Sequence, residues 1–137
     1  PCLIDSNILV YAFDKDEPEK GARARAFLRA RTIWGNAFIS IQNLVEFHAA
    51  VTSGIENRIS LEESKMALNE FLGAFSVLEY SSSTVLEAVS IQKSFGISFW
   101  DGLLAATMAE NQVKVIFTED EKDFKKIPWL TVVNPFR

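Results

Sequence analysis

The residues that stand out for chemistry in this 137-residue chain are carboxylates, and their placement is uneven. Aspartate occurs at Asp5, Asp14, Asp16, Asp101, Asp120 and Asp123, with none between Asp16 and Asp101. Charged helix faces use glutamate instead (Glu62, Glu63, Glu70, Glu87), the better helix former. Asp5 follows the apolar run Leu3-Ile4, and Asp120 follows Val113 to Phe117 by way of Thr118 and Glu119. Asp101 opens a long apolar stretch, and Glu46 stands inside Val45-Glu46-Phe47. Carboxylates gathered at one place are hard oxygen donors of the kind that select Mg²⁺ or Mn²⁺. A cation held there would also let a protein of net charge −4 and pI near 5.0 meet a polyanion.

Each acid also has a plainer reading. Asp5, or Ser6 beside it, suits the N-cap of a helix that follows a strand. Glu46 fits a solvated helix face. Ser98-Phe99-Trp100-Asp101 matches the Ser-x-x-Asp capping box, although a carboxylate on so apolar a helix costs several kcal/mol unless something answers it. Asp120 suits a loop or a cap for the turn at Glu121 to Phe124. His48 projects with Leu44 and Val51, which favours packing, and Cys2 reads as a small core residue. Lys20, Arg23, Arg25, Arg29 and Arg31 make either a solvated helix face or a contact for an RNA backbone. Lys122, Lys125 and Lys126 form a second basic group just past Asp120.

Composition narrows the chemistry further. One Cys and one His exclude disulfide frameworks and Cys/His metal clusters within the chain, and leave only His48 for a nucleophilic triad. Metal chemistry must therefore use oxygen ligands. A hydrophobic fraction of 48% with 11 Phe excludes a disordered chain and implies one aromatic-rich domain spanning residues 1–137. No stretch reaches the roughly 18 apolar residues of a membrane span. Asp5 comes too early for a signal peptide, so the expected location is the cytoplasm, with no membrane partner.

The elements that must position the acids alternate between strand and helix. Strands are expected at Leu3-Ile4, at Ala37–Ile41 as a short buried one, at Ser76–Tyr80, at Val113–Phe117 as a central one and at Thr131–Val133. Helices are expected from Ile8, over Glu19–Ala30, Gln42–Ser53, Leu61–Ala74, Ser83–Phe95 and Phe99–Asn111. Met66, Leu68, Leu72 and Phe75 supply the apolar residues of the fourth of these helices. That alternation predicts an α/β/α sandwich around a mainly parallel central sheet. Ligands in such sheets sit beyond the carboxyl ends of the strands, where Asp5 and Asp120 fall.

Asp5-Ser6-Asn7 after the first strand, Val45-Glu46-Phe47, Trp100-Asp101-Gly102-Leu103-Leu104-Ala105-Ala106 and Thr118-Glu119-Asp120 occur in that order. In this the chain resembles the PIN-domain nucleases, particularly the small stand-alone VapC-type ribonucleases, over nearly its whole length. The resemblance implies that Asp5, Glu46, Asp101 and Asp120 are the four family acids, which bind Mg²⁺ or Mn²⁺ and serve catalysis. It places Thr118 as the hydroxyl residue two before the last acid and Asn7 as the polar residue near the first. Gly102 stands where the family often has Ala, a change expected to loosen the first helical turn. Glu119, Glu121 and Asp123 are extra acids, of which Asp123 is expected in support. The activity implied is metal-dependent hydrolysis of RNA phosphodiester bonds by a toxin that pairs with a small antitoxin and forms homodimers. A non-catalytic PIN-like RNA-binding or scaffold subunit is the alternative, although such a module would be expected to lose acids. A phosphoaspartate receiver needs an acceptor Asp after a mid-chain strand, which the gap between Asp16 and Asp101 denies. A small-molecule phosphatase shares the carboxylate chemistry but not the resemblance.

Overall fold

A computed structural model describes residues 1–137. Five strands, β1 (Cys2–Ile4), β2 (Ala37–Ser40), β3 (Ser76–Leu78), β4 (Val115–Phe117) and β5 (Thr131–Val133), form one sheet in the order β3-β2-β1-β4-β5. Every neighbouring pair is parallel, so the sheet is wholly parallel. The connections carry α1 (Ser6–Tyr11), α2 (Pro18–Trp34), α3 (Ile41–Ala49), α4 (Leu61–Ala74), α5 (Ser82–Phe95), α6 (Phe99–Glu110) and α7 (Glu121–Phe124).

The two layers of helix follow from the period-2 alternation of strand side chains. Cys2 and Ile4 of β1, Ala37 and Ile39 of β2 and Phe117 of β4 enter one core, with residues of α1 to α4. Leu3 and Ile116 turn to the opposite face and pack with residues of α5, α6 and α7. The first core is aromatic at its centre. Phe47 meets Phe13 and Phe71 edge-on, with ring centroids 5.5 and 5.0 Å apart. Such pairs add about 0.5–1.5 kcal/mol each beyond the area they bury. In the second core, α6 is buried from Gly102 through Met108, as its uninterrupted apolar sequence predicts.

Three expectations need correction. The helix expected to run to Ser53 ends at Ala49 and continues as a π-helical turn over Ala50–Gly54. There the Thr52 and Ser53 hydroxyls donate to the carbonyls of His48 and Ala49, both at 2.6 Å, and Ile55 N–H reaches back to Ala50 O. Side-chain bonds of this kind compete with the regular helical ladder. On α4 the buried residues are Ser64, Ala67 and Phe71, whereas Met66 and Leu72 are exposed. Ser64 earns its buried place by pairing with His48 Nδ1 at 2.7 Å, which fixes the half-buried imidazole in the packing role expected of it. Gly102 does not loosen α6. A Cβ there would lie 2.8 Å from the Ala88 carbonyl oxygen of α5, so glycine permits the two helices to approach closely.

Strand order reverses about β1: β2 and β3 extend to one side, β4 and β5 to the other. The crevice between the carboxyl ends of β1 and β4 is thus a topological switch point, where open α/β sheets bind ligands. Asp5 and Thr118 are the first residues beyond those two strands, and Ile4 is in register with Phe117.

Candidate active site

Asp5 is both the helix cap and a member of the acid cluster. Its Oδ1 accepts the Ser6 N–H at 2.8 Å, capping α1, and Asn43 Nδ2 donates to the same oxygen at 3.4 Å. Its Oδ2 accepts the Thr118 hydroxyl at 2.8 Å. Asp5 is buried, and its own N–H is bonded to Phe117 O, which closes the end of β1 against β4. Burial raises its carboxyl above the ordinary Asp range. The Thr118 and Ser6 bonds oppose that rise, and the charge of Asp120 adds to it.

Thr118 joins the pieces. Besides donating to Asp5, its oxygen accepts Asn7 Nδ2 and the Asp120 N–H, each at 3.0 Å. Asn7 Oδ1 in turn accepts Glu119 N–H at 3.3 Å. The start of α1 and the segment after β4 are therefore laced together by two short polar side chains.

Glu46 arrives from α3, one turn past a firmly set helix start. Ser40 caps that start, its hydroxyl accepting Asn43 N–H at 3.0 Å while Asn43 Oδ1 accepts Ser40 N–H at 2.9 Å. Glu46 is half-buried, and its Oε1 lies 3.2 Å from the Ser6 hydroxyl, a single residue away from Asp5. Burial first, then the charge of Asp5, raises its carboxyl, while Gln42 and Ser6 hold it down.

Asp101 departs from the capping reading. Ser98 Oγ does accept the Asp101 N–H at 3.1 Å, but the Ser98 N–H is taken by Asp123 Oδ2 at 3.2 Å. Asp123 thus performs the return half of the capping box, and the Asp101 carboxyl is left to the cluster. It is pushed up to about 7, by burial, by a hydrogen bond shared with Asp123 and by the charges of Asp120, Asp123 and Asp5. Asp123 is held low by the Ser98 N–H and by Asp101. Asp120, exposed at the rim, makes no side-chain cap to α7.

The charge of Asp5 acts on Glu46 and on Asp101, that of Asp120 acts on Asp5 and on Asp101, and no cation pairs with any of the four. The chain's ion pairs use other acids: Glu119 with Lys20, Glu121 with Lys125 and Arg137, and Asp123 with Lys126. Glu119 also accepts the Tyr11 hydroxyl at 2.5 Å, and Lys20 and Tyr11 together hold its carboxyl low against burial. No three of these carboxylates are gathered closely enough around one point to ligate a single ion directly. Mutual repulsion keeps uncompensated like charges apart, and Mg²⁺, which retains several waters, does not require a dedicated all-protein cage. An all-oxygen donor set with unbalanced negative charge fits such a hydrated divalent cation. Ser6, Asn7, Val10, Tyr11, Glu46 and Ile55 border a cleft of ≈ 370 Å³ alongside.

The basic face of α2 is largely used within the fold. Arg23 donates to Phe136 O at 2.8 Å, Arg25 donates to Ala12 O at 3.1 Å, and Arg31 lies over the Phe117 ring. The sequence pattern does not single out Gln42 or Asn43 as neighbours of the acids. The Ser40-x-x-Asn43 spacing, a capping box three residues ahead of Glu46, was the available signal.

The family model described as the PIN domain matches residues 2–130. No curated protein matches the chain by sequence. Among solved structures, a toxin–antitoxin complex from Klebsiella pneumoniae is similar at a TM-score of 0.68 and 23% identity, covering 98% of each chain. VapBC2 from Rickettsia felis, bound to a DNA fragment from its promoter, matches at 0.70 and 21%, covering 97% of each chain. Mycobacterium tuberculosis VapC20, a sarcin-ricin loop cleaving toxin, matches at 0.69 and 11%, covering 91% of this chain and 94% of that one. At these identities the likeness is one of fold.

Proposed function

From the premise that the chain belongs to the PIN-domain family, we propose that it is a metal-dependent endoribonuclease that hydrolyses RNA phosphodiester bonds, the toxin of a VapBC-type pair. The observation that supports this reading is Asp5 at the β1–β4 switch point, within electrostatic reach of Glu46, Asp101 and Asp120, with no lysine or arginine paired to any of the four. Asp5, Glu46 and Asp101 are raised at a ligand-binding edge, the kind of perturbation that functional sites concentrate.

Asp5, Glu46, Asp101 and Asp120 are the residues to hold Mg²⁺ or Mn²⁺, with Asn7, Thr118 and Asp123 in support. The bound cation supplies positive charge for the scissile phosphate and acidifies water. The rest is done by this chain. Thr118 and Asn43 fix both oxygens of Asp5, so its lone pairs point in set directions. The Ser6 hydroxyl bridges the spacing between Asp5 and Glu46. Asp123 accepts a hydrogen bond from the protonated Asp101 carboxyl near neutral pH and so orients it.

RNA is the proposed substrate and a small antitoxin the proposed partner, with a homodimer in the cytoplasm as the proposed setting; the neighbouring toxin–antitoxin complexes support the antitoxin. The test is incubation of mixed RNAs with native protein and Asp5→Asn, with Mg²⁺ or with EDTA. Cleavage by the native protein with Mg²⁺ alone is expected. Equal cleavage by Asp5→Asn, or none by the native protein, would contradict the reading.

A further inference from the structure

One polar group beside the acids is left over. Gln42 is 4% exposed, and its Oε1 is the single buried side-chain nitrogen or oxygen of the chain without a hydrogen-bond partner. An acceptor buried without a donor carries a full desolvation penalty, so its survival needs a reason. Its orientation is settled: Nε2 donates to Trp100 O at 2.9 Å, and only the NH₂ end of an amide can meet a carbonyl. A flip would set one acceptor against another.

The surroundings say which donor is missing. Gln42 lies one helical turn before Glu46, on the same face of α3, and its amide is near enough to favour the ionised form of that carboxylate. Trp100, whose carbonyl it holds, directly precedes Asp101. The amide therefore spans from the helix bearing Glu46 to the first turn of the helix bearing Asp101. The carboxylate within its reach, Glu46, is an acceptor when ionised and cannot satisfy Oε1. The hydration shell of a divalent cation is a dense set of strong O–H donors, and Mg²⁺ keeps several of its waters when bound.

We propose that Gln42 is a positioning residue for the cation: Nε2 ties Glu46 to Asp101 through the Trp100 carbonyl, and Oε1 accepts a hydrogen bond from the cation's hydration shell. This rests on the metal-binding reading of the acid cluster. Groups that orient a metal's immediate ligands in this way typically change affinity by about 10–100-fold when removed.

The test is Mg²⁺ titration of thermal stability, without RNA, for the native chain, Gln42→Met and Gln42→Glu. Mg²⁺ is expected to raise the native melting temperature by mass action. Gln42→Met, similar in size but with neither donor nor acceptor, should need about tenfold more Mg²⁺ or greater for the same gain. Gln42→Glu should melt earlier without metal, because a carboxylate faces the Trp100 carbonyl, yet bind Mg²⁺ at least as tightly as the native chain. A Gln42→Met protein that melts early but takes up Mg²⁺ with the native midpoint would reduce Gln42 to a structural tie and overturn the proposal. If Gln42→Met does not fold, weaker Mg²⁺ binding by Gln42→Glu overturns it instead. A native protein that gains nothing from Mg²⁺ overturns the metal reading itself, and the role of Gln42 with it.

Discussion

Asp101 keeps its proton to about pH 7 in the folded chain, whereas the unfolded chain releases it near 3.8. Between those values the folded state binds more protons than the unfolded one. The stability this group confers is therefore complete below about pH 4 and is lost as pH rises through 7. Metal-free Asp101→Asn should flatten that loss, so at pH 8 it should melt at or above the native temperature, because functional acids tend to cost stability. RNA cleavage should fall by orders of magnitude in the same variant. Melting curves from pH 4.5 to 8.5, with cleavage assays alongside, read both effects. A variant that melts earlier at pH 8 yet cuts at the native rate would leave Asp101 as a helix cap only. Thr118 gives the opposite signature. Thr118→Val keeps the shape but leaves Asp5, Asn7 and the Asp120 N–H each short of a partner. Urea denaturation should show a loss of about 1–3 kcal/mol, and an unchanged midpoint would mean that the Thr118 bonds do not hold the site together.

At the scale of elements, α6 carries Asp101 and is pressed onto α5 at Gly102. Gly102→Ala must push the new Cβ off the Ala88 carbonyl, a backbone group that cannot swing aside. Overpacking of this kind costs about 1–3 kcal/mol. Thermal melts should show the loss, and a Gly102→Ala protein as stable as the native one would mean that the helices separate freely. Elements of this kind were legible in the sequence where one force dominated. The run of apolar residues in α6 and the short strands follow from local pattern, whereas α1 starts at Ser6, two residues before the expected Ile8. The end of α3 was not legible, because Thr52 and Ser53 turn their hydroxyls onto the backbone and Gly54 closes a π-helical turn. The face of α4 was misread because Met66 and Leu72 look like core residues. The face that is buried carries Ser64, satisfied by His48, a pairing across helices that no periodicity reveals.

At the scale of the molecule, strand order brings together acids far apart in the chain. Asp5 and Thr118 meet because β1 and β4 are neighbours, and Glu46 meets Ser6 because α3 returns across the same edge. The four acids were singled out from their type and context, and their joint role stands as the proposal. Gln42 and Asn43, polar residues beside them, were not, since each also reads as an ordinary helix-start residue. The proposed reaction is hydrolysis by water at a negatively charged centre that holds a cation. Water attacking phosphorus has no need of the ribose 2′-hydroxyl. The most direct measurement is therefore the chemistry of the ends produced when the native protein cuts a defined RNA with Mg²⁺ or with EDTA. The account predicts 5′-phosphate and 3′-hydroxyl ends that form with Mg²⁺ and vanish with EDTA. Cleavage that survives EDTA and leaves 2′,3′-cyclic phosphates would contradict it.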